Sequence, residues 1–466
     1  MTSVLWLRRD LRLADHPALL AATAQGTAVP VFVIDPALWD CAGSARRAWL
    51  AATLRQLDRD LDGRLCLRIG RPEAVIPTLA ESLGADAVHV TRETTPAGRR
   101  RDARVEAALR RGGRALVLTG TPYAVGPGLV RTGAGSPYRV FTPFLRAWRD
   151  HGCPVPAGPA DLARIRPAET DPHAWSLVDE AVAGSTVPLP EPGEAAALQR
   201  WRDFLDGDLT AYRTDRDRPA VEGTTRLSPY LKLGVLHPRT LLADLASVGP
   251  ADRDGAHTLV SELAWREFYA DTLWHSPRSA WRDHRTALEH LEYDDPADPV
   301  VASRLEAWRS GRTGYPLVDA GMRQLLTQGW MHNRVRMVTA SFLTKDLHVW
   351  WPHGARHFLT HLIDGDLASN SHGWQWVAGT GTDAAPYFRV FNPVRQGLLV
   401  DPEGEYVRRY VPELAHLPGR TVHEPWAVPD GYDGGYPRPI VDHSQERAEA
   451  LRRLAAATSA RASTLA

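Results

Sequence analysis

Residues 1–120 alternate between short apolar, β-branched runs and polar-punctuated segments of helical length. The runs Val4–Leu7, Val29–Ile34, Leu65–Ile69, Ala87–Val90 and Ala115–Leu118 read as strands. Between them, Asp15 with Pro17 reads as the opening of one helix and Gly26 as its close, while Ser44 reads as the N-cap and Gly63 as the C′ residue of another. Strands separated by helical crossovers imply a parallel sheet with helices on its faces. Residues 121–195 are rich in Pro, Gly and Ala with weak periodicity and read as an interdomain linker. A second domain is expected from near Glu194. Its apolar spacing is helical, as in Leu259, Leu263, Phe268 and Leu273, and again in Leu325, Met331, Val335 and Val338. The predicted fold is a doubly wound α/β domain over 1–125, a linker over 126–193 and an all-α domain over 194–466. No repeat of 20–50 residues is present, which disfavours a solenoid.

Composition narrows the class without naming it. The chain has 466 residues, 44% hydrophobic and 24% charged, which excludes collagen-like, coiled-coil and wholly disordered readings. Its cysteines, Cys41, Cys66 and Cys153, are odd in number and form no C-x-x-C, so they suit a reducing compartment better than a disulfide framework. Charges fall within eight residues of the start, and no run approaches 18 apolar residues, so neither a signal peptide nor a membrane span is expected. A cytoplasmic protein is the expectation. Only Lys232 and Lys345 are lysines among 55 basic residues, so almost all positive charge is guanidinium, suited to bidentate phosphate or carboxylate contacts. A GC-rich genome favouring Arg and Ala codons is the plainer account of the same bias. The net charge is zero, but residues 1–150 hold 22 Arg against 14 acids, a balance of +8, and the rest carries −8. Bulk charge therefore predicts no nucleic-acid partner, and any such binding must rest on a local patch.

A parallel sheet invites a dinucleotide hypothesis, yet the first strand is followed by Arg8-Arg9-Asp10-Leu11-Arg12 rather than G-x-G-x-x-G. Neither lysine follows a glycine, which excludes a Walker A loop. The chemically dense text lies in the helical half. EGTTRLSPYLKLG (222–234) can form a phosphate cradle or an ordinary capped helix start. In SELAWREFY (261–269), Glu262 and Arg266 stand one turn apart, as do Trp265 and Tyr269, which an exposed ion pair over core aromatics also explains. GWMHNRVRMVTASFLTKDL (329–347) and HLIDGDLASNSHGWQWVAGTGTDAAPYFRVFNP (361–393) are too polar for an ordinary buried helix pair and too aromatic for a solvent face. Buried charges need partners, and Arg336 with Asp364 is the evident pairing. His353, His357 and His361 fall on one helical face, but no H-E-x-x-H glutamate accompanies them, and no metal is expected.

Residues 222–231, 261–269, 312–347 and 361–393, with the N-terminal WLRRDLRLADHPAL, resemble the photolyase/cryptochrome flavoprotein family, specifically bacterial class I cyclobutane pyrimidine dimer photolyases, over about residues 2–443. The resemblance implies FAD bound in a bent form within the helical domain. Tyr212, Thr224, Thr225, Arg226, Leu227, Ser228, Arg266, Asp364, Gly365 and Asp366 match flavin-binding positions, Arg336 matches the partner of the first aspartate, and Asn370 matches the residue facing flavin N5. It implies UV-damaged DNA as the partner. Arg216 and Arg334 match phosphate contacts, Trp265 and Trp376 the walls of a slot for a flipped dimer, and Glu262, Asn333 and Met337 the contacts to its base edges. The resemblance thus implies base flipping, since a dimer within the duplex must leave the stack to reach such a slot. The implied reaction is light-driven: one electron passes to the dimer, the cyclobutane ring opens, and the electron returns.

Trp374 and Trp351 match the first two members of a tryptophan chain that re-reduces the flavin; at the third place the chain reads LEYDDPADPVV, leaving Tyr293 or another tryptophan such as Trp308. PAGRRRD (96–102) is similar to the version of the antenna pocket that holds 8-hydroxy-5-deazaflavin, with Arg46 and Asp102 as contacts, although a solvated basic helix face is the plain alternative. A signalling cryptochrome is the rival from another class. The retained Glu262, Trp265, Asn333 and Trp376, and the short segment after His443, favour a repair enzyme; a monomer is expected.

Overall fold

The computed structural model describes residues 1–288, 291–382 and 389–465; positions 383–388 of the last motif lie outside them. Internal packing divides the chain into two units. The first comprises residues 1–210, 225–277 and 363–366, and the second 211–224, 278–362 and 367–466.

In the first unit, β1 (Thr2–Leu7), β2 (Thr27–Ile34), β3 (Cys66–Ile69), β4 (Ala87–Val90) and β5 (Ala115–Leu118) form one sheet in the order β3-β2-β1-β4-β5. Every pairing is parallel, with Val4 opposite Val29 and Val88. β1 and β2 read as unbroken apolar runs because helices cover both faces. Val4, Trp6, Val29, Val31, Val88 and Val90 pack with Ile76, Leu79, Val105 and Leu109 from the crossover helices. Each such side chain contributes roughly 1.5–3 kcal/mol when fully buried.

The helix termini differ from the sequence reading by a residue or two. The first crossover helix spans Pro17–Thr23, and its cap is His16, whose Nδ1 accepts the Leu19 N–H at 3.2 Å. Asp15 is drawn elsewhere: its carboxylate takes the Arg239 guanidinium at 2.5 Å and the Ala157 N–H at 2.7 Å. Ser44 is the first residue of the helix Ser44–Asp60, whose cap Gly43 offers no side chain; Gly63 (φ 76°) lies two residues beyond the C-cap Leu61. The stretch after β5 carries two helices, Phe141–His151 and Ala174–Ala183. Phe141, Phe144 and Trp148 pack on Phe268 of the long helix Arg253–His275. Beside them, the buried Glu267 carboxylate accepts N–H groups from Ala124 (2.6 Å), Val125 (3.1 Å) and Gly126 (3.3 Å) and from the Trp148 indole (2.9 Å). Backbone donors meeting one carboxylate leave no periodic trace in sequence.

The second unit is helical throughout its core. The helices Pro316–Gln328, Asn333–Ser341, Trp351–His361 and Leu367–Ala378 surround Trp308, Phe342, Leu343, Trp351, Phe358 and Trp374. Proline at the first helical position and the left-handed Gly329 (φ 62°) delimit the helix Pro316–Gln328. Residues 351, 354, 355 and 358 form one face of their helix. There Gly354 is obligatory, because a Cβ would stand 2.2 Å from Trp374 Cη2 and 2.5 Å from Leu343 Cδ2. Among the described residues no helix is long and apolar enough to cross a membrane.

Candidate cofactor and nucleic-acid site

In the first unit, the chain turns into the short helix Ser228–Leu233 through Arg226, held at a left-handed φ of 48°. The helix has Leu227 at its cap, so Ser228 is free of capping duty and its Oγ donates to Asp364 Oδ2 at 2.7 Å. It ends at Gly234 (φ 66°), where a Cβ would meet Arg9 O at 1.9 Å; only glycine lets this motif close on the end of β1. Arg9 then reaches Asp366, Nη2 to Oδ2 at 2.9 Å, and Lys232 Nζ approaches the same oxygen at 3.5 Å. Burial pushes Lys232 down to about 8, with Arg9 adding to it and Asp366 opposing. Burial alone would raise Glu93, yet Arg9, Arg8 and Arg101 hold it down at about 2. Neither Arg9 nor Lys232 was among the residues expected from sequence. The arginine doublet closing β1 was the available signal, a charged pair where a doubly covered strand ends.

Arg266 donates to Pro122 O and Leu231 O, both at 3.1 Å, with its guanidinium over the Tyr123 ring at 4.3 Å. It is thereby a tether for two backbone segments rather than merely half of a surface ion pair. One turn away, Trp265 stacks on Phe141 (3.7 Å between centroids, 10°) and meets Tyr269 at 5.3 Å, so one indole face is already supported. Glu262 and Trp265 are both half-buried. Asp102 is buried and takes the guanidinium groups of Arg8 and Arg101, which lie 4.6 and 5.0 Å from the Trp6 ring centre. Arg46 is largely withdrawn from solvent, and burial lowers its pKa.

In the second unit, Asn370 Nδ2 donates to Ala355 O at 3.0 Å, which fixes the amide plane against the neighbouring helix. One turn on, Trp374 Nε1 is buried without a hydrogen-bond partner among the described residues, as is Ser371 Oγ. Orphaned polar atoms beside a fixed amide are what a flat, polar-edged group such as an isoalloxazine calls for, so these residues fit a flavin. Arg336 Nε donates to Met331 O at 2.8 Å. Arg334 grips Asp217 Oδ1 at 2.7 Å, and Arg216 stands 6.0 Å from the Tyr212 ring centre. Asn333 is exposed, while Thr224, Met337 and Trp376 are half-buried, the last two packed against the helical core. Trp351 is fully buried, its indole donating to Asp283 Oδ1 at 2.6 Å. His357 lies against Trp308 and His361. Among the described residues no three His, Cys, Asp or Glu side chains converge to hold a metal ion.

A parallel-sheet domain followed by a helical one, with no Rossmann glycines after the first strand, sets the chain apart from ordinary dinucleotide-binding enzymes. Two family models match the chain: one described as DNA photolyase, over residues 3–160, and one described as FAD binding domain of DNA photolyase, over residues 259–456. The chain is 40% identical to a deoxyribodipyrimidine photo-lyase of Halobacterium salinarum, covering 96% of this chain and 97% of that one. It therefore belongs to the DNA photolyase family. Among solved structures it is similar to a bacterial class III photolyase from Agrobacterium tumefaciens (36% identity, TM-score 0.87, 98% of each chain). It is also similar to a cryptochrome of Synechocystis (29% identity, TM-score 0.85, 97% of this chain and 98% of that one).

Proposed function

We propose that the protein repairs cyclobutane pyrimidine dimers in DNA by light-driven electron transfer. The observation that carries this reading is the helix Leu367–Ala378, inside the matched FAD-binding region, which brings together the anchored amide of Asn370, the buried Trp374 and the half-buried Trp376. When bound and reduced, FAD supplies an electron donor excited by light; splitting the dimer returns that electron, so no general base is required. On this reading Tyr212, Thr224, Thr225, Arg226, Leu227, Ser228, Arg266, Arg336, Asp364, Gly365 and Asp366 bind the cofactor. Ser228 orients Asp364, while Arg9 and Lys232 orient Asp366 and balance its charge. Trp265, backed by Phe141, and Trp376 present indole faces to the flipped bases, with Glu262, Asn333 and Met337 at the base edges. Arg216 and Arg334 position the strand through its phosphates.

We assign antenna binding to residues 1–125, linkage to 126–193, and flavin and DNA binding to 194–466. The antenna proposed is 8-hydroxy-5-deazaflavin near Arg46 and Asp102, supported by the half-buried guanidinium groups and the buried indole around Asp102. Class I membership and a monomer in the cytoplasm complete the reading. The fold is shared with a cryptochrome, so the decisive test is chemical. Purified protein, its absorption spectrum recorded, is illuminated with an oligonucleotide carrying one thymine dimer. Restored thymines in light but not in darkness are expected. A flavin spectrum without repair would favour a receptor, and absence of flavin after reconstitution would sink both.

A further inference from the structure

We propose that Trp350 is the outlet of the tryptophan chain, passing an electron inward to Trp351 and thence to Trp374, with Asp283 holding the two outer indoles. The inference rests on the reading above, in which Trp374 and Trp351 carry electrons toward the flavin.

The helix Trp351–His361 supplies the path. Trp374 lies on Gly354, three residues and thus about 4.5 Å along the helix axis from Trp351. Trp351 is fully buried at the first helical position and cannot itself exchange charge with solvent. The residue before it, Trp350, occupies the cap and is half-buried. Their ring centroids are 6.4 Å apart at 69°, and this is the one ring pairing of Trp351 among the described residues. A single carboxylate spans both: Asp283 Oδ1 takes the Trp351 N–H at 2.6 Å and lies 3.4 Å from Trp350 Nε1.

The two outlets expected from sequence are less suited. Trp308 meets Trp374 at 6.1 Å, but it is wholly buried and its N–H is committed to Thr339 O at 3.0 Å, so a hole placed there has no way out. Tyr293 has its hydroxyl buried without a hydrogen-bond partner among the described residues. A phenol must shed its proton when oxidised, and burial with the nearby Asp283 charge raises the Tyr293 pKa, which opposes that loss.

Trp350 meets neither obstacle. One electron leaves its indole and fills the vacancy on Trp351. The Trp350 N–H bond then breaks, and the proton forms an O–H bond on Asp283. Arg282, exposed, with its guanidinium 5.6 Å from the Trp350 ring centre, disfavours the cationic radical and so promotes the proton's departure. A soluble thiol then gives a hydrogen atom to the indole nitrogen, its S–H bond breaking to leave a thiyl radical, and Asp283 releases its proton to water.

The test uses FAD-loaded full-length protein with oxidised flavin, a thiol and flash illumination. Trp350→Phe is expected to lose the long-lived neutral tryptophanyl absorption, while flavin content and far-ultraviolet circular dichroism stay as in the parent. Trp350→Tyr should restore part of the photoreduction, and peptide mass mapping after illumination in air should find the oxidised indole at position 350. If Trp351→Phe and Trp374→Phe lose the signal but Trp350→Phe keeps it, or if Tyr293→Phe is the variant that loses it, Trp350 is not the outlet. If Trp351→Phe and Trp374→Phe both keep it, the underlying electron route falls instead.

Discussion

His16 caps its helix with Nδ1, which accepts the Leu19 N–H, and this leaves the proton of the neutral ring on Nε2, 3.5 Å from Asp10 Oδ2. Complete burial pushes its pKa down to about 4, with Asp10 opposing and Arg12 assisting. The folded ring therefore stays neutral where an unfolded one, near 6.5, takes up a proton. The sign follows: this contribution is fully present above 6.5 and is lost as pH falls to about 4, by roughly 3 kcal/mol at 1.36 kcal/mol per unit. Burial raises Asp319 and Asp346 to about 6, which acts in the opposite direction, but that effect is common to parent and variant and drops out of their difference. His16→Asn keeps an acceptor at the cap. Denaturant unfolding at a series of pH values should give a slope of stability against pH shallower by about one proton in His16→Asn than in the parent. Equal slopes would mean that His16 does not titrate with folding.

At the level of the element, the pairing of Trp351–His361 with Leu367–Ala378 depends on the absence of a side chain at position 354. Gly354→Ala should gain about 1 kcal/mol from helix propensity. It must also fit a methyl group 2.2 Å from a rigid indole carbon, and overpacking of that kind costs about 1–3 kcal/mol or more. The clash is expected to win. The variant should unfold at lower denaturant, with altered near-ultraviolet dichroism from Trp374; a more stable Gly354→Ala would refute the close approach. The strands of the first unit were legible because doubly covered parallel strands are continuous apolar runs. Helix caps were misplaced by a residue because polar side chains suited to capping, Asp15 above all, are claimed by tertiary partners such as Arg239. In the stretch after β5, residues 124–126 are held by the Glu267 carboxylate through their backbone N–H groups, an anchorage that no side-chain pattern announces. At the candidate site, motif residues were legible as sets, whereas the pairing of Arg9 with Asp366 joins positions 357 apart and leaves no local signature.

For the whole chain, zero net charge means that long-range attraction to a polyanion is weak, even though residues 1–150 carry +8. DNA affinity must then come from a few arginines, each releasing about one counterion. Arg334 is already held by Asp217 at 2.7 Å, in a pair with side chains 27% and 45% exposed. Exposed pairs of this kind are worth at most about 1 kcal/mol, so a phosphate oxygen can displace the carboxylate at little cost. Two opposite outcomes follow. Arg216→Gln should weaken binding to damaged and undamaged DNA alike and reduce the slope of log affinity against log salt by about 1. Asp217→Asn removes the competing anion and should strengthen binding to both, most clearly at low salt where unscreened charge counts most. Fluorescence anisotropy titrations of a labelled duplex, with and without a dimer, at several salt concentrations read both effects. An Asp217→Asn variant that bound more weakly would show that the carboxylate presents Arg334 to the phosphate instead of competing with it. An unchanged salt slope in Arg216→Gln would remove that residue from the phosphate contacts.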